Sequence, residues 1–252
     1  MVADEGTRII CVQEFMERVW LAPLKKTTGQ RIFRGQTQAE AQGWRLLPKL
    51  FRSDLGQRKR TAAEIMELEG RLLDAFQREA LYLLPSAPTD EADRLSLAQH
   101  HGLPTRMTDW TANPLMALFF AVDGPCPVEP TVWIYDVTSE QISRGEDSRY
   151  APPDIELNAI MQPSRHSARV AVQAGWHIIH HFHKDSDGVL RVLALDGMKF
   201  HRDRMEILKV EPGKAGAIRS ELKQMGIHHA TAYGDLGSVC RGIVEWLCRY
   251  LP

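Results

Sequence analysis

Apolar residues recur at helical spacing through Val12, Phe15, Met16, Val19 and Trp20, with Pro23 just beyond, and this spacing predicts an opening amphipathic helix. A Thr28-Gly29 turn then leads into a short β-like segment, Arg31 to Gly35. The most regular stripe is Ile65, Leu68, Leu72, Leu73, Phe76 and Ala80, preceded by a capping-box pattern of Thr61 with Glu64, and it predicts a long helix reaching about Leu84. Pro85 to Thr89 ends that helix. Asp90 is placed to cap a second one ending at Gly102, and Asn113-Pro114 supplies a cap and a first-turn proline for a third. Beyond Val122 the pattern changes to short β-like runs, Thr131 to Val137, Trp176 to Phe182, Val189 to Leu195 and Met205 to Val210, separated by Pro, Asp and Gly. The chain closes as a helix from Gly213 to Met225 with Gly226 as C-cap, a strand from Ile227 to Tyr233 and a helix from Ser238 to Leu251. Helices thus dominate the first half and strands the second. With no internal repeat and no Ser/Gly-rich linker, the expectation is one α+β domain over 1–252, with its core at about 28–237 between terminal helices.

Composition narrows the classes of function. The 252 residues carry 31 basic and 32 acidic side chains, a formal net charge of −1, so no global field attracts a polyanion. A local basic stretch, Arg52 to Arg60, is the exception. The longest apolar run, Pro114 to Val122, is far shorter than the roughly 20 residues a membrane helix needs. Met1 to Ile10 lacks the apolar core of a signal peptide. Cys11, Cys126, Cys240 and Cys248 have neither CxxC spacing nor a disulfide framework, and read as reduced core thiols. A cytoplasmic protein without a membrane partner is expected.

Chemistry-bearing residues concentrate in two places. One is Leu97 to Pro114, where His100, His101, Thr105, Arg106, Asp109, Trp110 and Asn113 crowd a junction expected to join two helices. The other is Phe33-Arg34-Gly35-Gln36, where a guanidinium stands beside a glycine that lets a ligand approach the backbone. Three histidines, His177, His181 and His183, would share one face of a strand, with Asp185 or Asp187 as further oxygen donors. No HExxH or paired-cysteine signature accompanies them, so they read as histidines facing solvent or a cleft, and no metal is assigned.

From Phe33 to Asp235 the chain resembles the FRG domain family, named for its Phe-Arg-Gly motif. The family's HHGxPTRxxDWTxNPxxALFFA pattern runs from His100 to Ala121. Arg169 to Gly175 is similar to the family's RxxxQxG segment, and Ala232-Tyr233-Gly234-Asp235-Leu236 looks like its LFPDL, with Tyr-Gly in place of Phe-Pro. The resemblance implies a fold related to ADP-ribosyltransferases, a split antiparallel sheet with helices that binds NAD in its central cleft. It also implies a role of the bacterial toxin or phage-defence type.

Cleaving the nicotinamide–ribose bond passes through an oxocarbenium-like transition state that a carboxylate stabilises. On this reading Arg34 binds the pyrophosphate, and Gly35 and Gln36 belong to the cofactor-binding set. His100 or His101 and Thr105 bind ribose hydroxyls, Trp110 or Trp176 stacks on nicotinamide, and Arg106 and Gln173 join the cofactor-binding set. Asp109 and Asp235 compete for the carboxylate role. The structural alternatives are an Arg34–Asp109 ion pair, a capping Asp109 and a core Trp110. The expected activity is ADP-ribosyl transfer from NAD, or NAD hydrolysis if water replaces the acceptor. The acceptor would be an unknown protein or nucleic acid, with an antitoxin as a possible partner. The alternative is a nucleotide-binding or protein-interaction module that keeps the cleft without the chemistry.

Overall fold

The run Thr131–Thr138 (β4), rich in β-branched and aromatic residues, is buried on both faces along nearly its whole length and sets the centre of a sheet. The computed structural model describes residues 7–22, 29–38, 45–52, 61–83, 91–124, 129–139, 141–142, 158–163, 172–184 and 190–247. In it β4 pairs antiparallel with β2 (Gly29–Gln36) on one side and with β9 (Met205–Val210) on the other. Strand β1 (Thr7–Ile9) adds to β9 in parallel. Beyond β2 lie β3 (Met107–Thr111), β6 (Gly175–Ile179) and β5 (Ala159–Met161), all antiparallel, giving the order β1-β9-β4-β2-β3-β6-β5. A separate hairpin joins β7 (Phe182–Lys184) to β8 (Leu190–Val192).

Around the sheet stand α1 (Val12–Leu21), α2 (Lys49–Arg52), α3 (Ala62–Ala80), α4 (Glu91–His100) and α5 (Pro114–Val122). Later come α6 (Lys199–Arg202), α7 (Ala215–Gln224), α8 (His229–Tyr233) and α9 (Leu236–Leu247). Period-two alternation divides the core. Phe33, Val132, Ile134, Leu208 and Val210 pack against α1, α5 and α7, whereas Ile32, Trp133, Tyr135, Val137 and Trp110 face a second cluster on the opposite side. The α+β class is as expected. No helix among the described residues is long and apolar enough to cross a membrane.

The expected capping signals are present. Thr61 and Glu64 bond reciprocally, and Asn113 Oδ1 accepts from the Leu115 and Met116 amides to start α5 at Pro114. Between β2 (Arg31) and β4 (Asp136) a bidentate ion pair with contacts of 2.7 and 2.9 Å locks the register, and the same guanidinium donates to the Val19 and Ala22 carbonyls at the end of α1.

Four expectations change. Residues 229–233 are a helix, not a strand: the His228 amide bonds Thr231 Oγ1, the Ala232 amide bonds the His228 carbonyl, and Gly234 closes the turn at φ 66°. The Trp176–Phe182 run is not one strand, because the chain leaves the β6 ladder after Ile179 and pairs again only from Phe182. The junction between α4 and α5 holds β3, a strand that the dense polar motif concealed. Cys11 is half-buried and Cys240 exposed, so neither is a core thiol, while Cys126 and Cys248 lie outside the described residues, as does Asp90.

The sheet is continuous rather than in two halves, yet it is nearly parted: β2 and β3 share the single pair Phe33–Thr111. The close approach at Gly35 is made by α5, since a Cβ there would lie 1.9 Å from the Ala117 carbonyl oxygen and 2.6 Å from the Ala121 amide. Gly35→Ala therefore pushes α5 off the sheet, with an expected loss of about 2–3 kcal/mol and a fall in Tm of roughly 5–10 °C, checked by thermal and urea unfolding.

Candidate functional site

A cavity of about 280 Å³ opens where β2 and β3 part. Strand β2 contributes Phe33, Arg34 and Gly35; α4 contributes Ser96, Gln99 and His100; β3 contributes Asp109, Trp110 and Thr111. Phe120, Pro163, Gln173, Gly175, His177 and Tyr233 complete the wall. The antiparallel register sets Asp109 opposite His177 on one sheet face, beneath α4.

Arg34 reaches across the parting, and its Nη1 donates to the Asp109 carbonyl at 2.5 Å. Its Nε is buried without a hydrogen-bond partner. Desolvation lowers the Arg34 pKa from its ordinary value; Asp109 pulls it back up, and the charge of Arg52 lowers it further. One nitrogen of this guanidinium is thus a buried donor without an acceptor, with a second cation nearby.

The Asp109 side chain is 64 % exposed, and that exposure is to the cavity it lines. Crowding by the walls works against its ionisation. The contact and charge of His177, then the charge of Arg34 and the Gln99 amide, outweigh this and bring its pKa down to about 2. Gln99 Nε2 donates to Asp109 Oδ1 at 2.5 Å, and His177 Nδ1 lies 3.2 Å from the same oxygen. On its other edge His177 Nε2 is 2.8 Å from Ser96 Oγ.

Of the residues expected in the site, Arg34, Gly35, His100, Asp109, Trp110 and Gln173 line this cavity. Gln173 also ties α8 to the sheet, donating to the Ala232 carbonyl at 2.9 Å while its own carbonyl accepts from Thr111 Oγ1 at 2.5 Å. Trp110 is both wall and core, with Nε1 donating to Thr108 Oγ1 at 3.1 Å.

The others stand behind the wall or away from it. Thr105 is fully buried and its hydroxyl donates to Gln99 Oε1, so it orients Gln99 instead of meeting a ligand. Gln36 accepts from Trp133 Nε1 at 2.7 Å. Arg106 pairs with Glu69 at 3.0 Å, both side chains only 6 % exposed, and Glu69 also takes the Arg106 amide. His101 is exposed and rests against the His100 ring, and Trp176 packs in the core. Asp235 caps the start of α9 by accepting from the Ser238 amide at 2.7 Å, and it is not among the residues lining the cavity. His181 accepts from the Ala159 amide, so it and His177 do not converge on one point. The side chain of His183, together with Asp185 and Asp187, lies outside what the structure describes.

Sequence reasoning missed Ser96, Phe120 and Tyr233, and it read His177 as part of a histidine strand. Ser96 gives no signal, being one small polar residue within a helix. Tyr233 was hidden by the strand expectation; its hydroxyl donates to Asp123 Oδ2 at 3.1 Å, and its ring stacks on His229.

Two outcomes follow from this geometry. Glu69→Ala leaves the Arg106 guanidinium buried without its carboxylate and is expected to cost about 3–5 kcal/mol, read from urea unfolding. Asp109 has a folded pKa of about 2, below its unfolded value, so its ionised form stabilises the fold above about pH 4 and that contribution is lost as pH falls toward 2. Solvent in the cavity screens the effect to about 1 kcal/mol or less. Comparing wild type with Asp109→Asn at pH 5 and pH 2.5 should show the stability difference shrinking at the lower pH.

Residues 29–129 match the family model of the FRG domain. The match covers Arg34, the Gln99–Asn113 segment and α5, and ends before Gln173 and Asp235. No curated protein and no solved structure matches the chain.

Proposed function

Residues 29–129 being an FRG domain whose two sequence signatures meet at one cavity, we propose that this cavity binds NAD and cleaves its nicotinamide–ribose bond. The observation that carries the reading is the pairing of a buried, unpartnered Arg34 Nε with an ionised Asp109 on facing strands of a parting sheet. A dinucleotide needs both charges: the guanidinium takes the diphosphate, with Arg52 adding to the field, and the carboxylate opposes the positive charge that develops on the ribose.

Aromatic surface for nicotinamide is supplied by Phe33, Phe120 and Tyr233, and hydrogen bonds to ribose by Gln99 and His100. At about 280 Å³ the cavity takes one end of such a ligand, leaving the adenosine to lie along its mouth. The near-separation of β2 from β3 is the feature that suits a relationship to the split sheet of ADP-ribosyltransferases. The acceptor of the ADP-ribosyl group would be a macromolecule, or water in a glycohydrolase, and a role in toxicity or phage defence would act through that modification or through loss of NAD.

One observation favours a binding module instead. Asp109 Oδ1 already takes the Gln99 amide and faces His177, so part of the carboxylate is engaged before any ribose arrives. Incubation with NAD labelled in both halves, with and without cell lysate, separates transfer, hydrolysis and binding. Asp109→Asn should lose nicotinamide release while keeping NAD affinity, and Arg34→Lys should lose about 2–4 kcal/mol of transition-state stabilisation, because an ammonium cannot fork onto a diphosphate. Release of nicotinamide by neither wild type nor lysate-supplemented protein, with NAD still bound, would establish the module.

A further inference from the structure

The wall of the cavity holds a second arrangement, which shares Asp109 with cleavage of NAD but adds a serine and a histidine that cleavage does not use. Ser96 Oγ lies 2.8 Å from His177 Nε2, and His177 Nδ1 lies 3.2 Å from Asp109 Oδ1. The three residues come from α4, β6 and β3, and all three line the cavity. We propose that Ser96, His177 and Asp109 act as nucleophile, general base and orienting carboxylate in hydrolysis of a small carboxylic ester through an acyl-Ser96 intermediate.

Proton bookkeeping sets the direction of the relay. An ionised carboxylate can only accept, so the His177 nitrogen facing Asp109, Nδ1, carries the ring's proton. In the neutral imidazole Nε2 then has a bare lone pair, and the 2.8 Å contact is Ser96 donating its hydroxyl proton to it. Asp109 is itself held in place: Gln99 Nε2 donates to Oδ1, and Thr105 Oγ1 fixes the other end of that amide. The contact to Nδ1 is loosely aligned, as is common before a substrate tightens such a site.

Ser96 lies inside a helix, so its own amide is spent on the helix ladder and cannot form the usual oxyanion hole. We assign the oxyanion to the Arg34 guanidinium, a charged donor lining the same cavity. The balance is complete without a cofactor. Ser96 Oγ bonds to the carbonyl carbon as its proton passes to His177 Nε2; the ester C–O bond breaks, and His177 returns that proton to the leaving alcohol. Water then attacks the acyl carbon, giving one proton to His177, and the carboxylic acid departs as Ser96 Oγ recovers its proton. The aromatic walls of Phe33, Phe120 and Tyr233 suit a short or aromatic acyl group.

The inference does not rest on NAD cleavage, which has no step at Ser96. The test is reaction of the full chain with a fluorophosphonate probe and with p-nitrophenyl acetate, followed by peptide mass mapping. Expected are one phosphonyl group per chain on Ser96, no labelling or ester turnover in Ser96→Ala, and at least about 100-fold slower labelling in His177→Gln and in Asp109→Asn. Thermal unfolding of each variant separates loss of chemistry from loss of fold, and mapping on wild type stands whether or not a variant folds. No labelling of wild type, labelling at another residue, or an undiminished rate in folded Ser96→Ala would overturn the proposal. Nicotinamide release by Ser96→Ala reports on the NAD reading separately.

Discussion

A single backbone pair, Phe33 with Thr111, carries the connection between the two sides of the sheet. A ladder that continued would have filled the space between β2 and β3 with its own hydrogen bonds. Because it stops, side chains from both strands have room to meet, and the Arg34 guanidinium spans the gap to the Asp109 carbonyl. Backbone groups freed by the parting still need partners, and a charged side chain meets that need while keeping other donor atoms for a ligand. Packing from behind preserves the opening: α5 approaches β2 so closely at Gly35 that no Cβ fits, which anchors one lip of the cavity to the apolar core.

On the sheet face that Arg34 shares with Trp133 and Tyr135 the polar groups close on one another. The Tyr135 hydroxyl lies 2.6 Å from His201 Nδ1 and accepts from Gln141, and Asn158 joins His201 to the backbone of His181. His180 meets Thr108, whose oxygen accepts from Trp110. Burial first, and then the charge of His201, hold the His180 pKa well below its ordinary value, so this ring stays neutral and serves as a structural acceptor. The contrast with the cavity is instructive. His181 and His201 are held by internal hydrogen bonds, whereas His177 stands between a serine and a carboxylate that both line the cavity.

The FRG signature therefore contains two kinds of residue that sequence alone does not separate. Arg34, His100, Asp109 and Trp110 reach the cavity, while Thr105, Arg106 and Asn113 build the scaffold through Gln99, Glu69 and the α5 cap. A dense polar motif marks a region as special. It does not say which members face a ligand, because a buried bracing residue and a ligand-binding residue have the same hydrogen-bonding chemistry.

What the sequence determined by itself is local. The capping box at Thr61–Glu64, the Asn113-Pro114 helix start, the strand at Thr131–Val137 and the central helices follow from spacing and cap chemistry, which act within a few residues. Short ambiguous runs were decided elsewhere: Ile227 to Tyr233 became a helix because glycines close both of its ends and α8 bonds to Gln173, 59 positions away. The site is tertiary in the same sense. Ser96 and His177 are 81 positions apart and come together only because β3 and β6 pair in register beneath α4. Periodicity has no access to that pairing, since it depends on which strands share a ladder and on where that ladder ends.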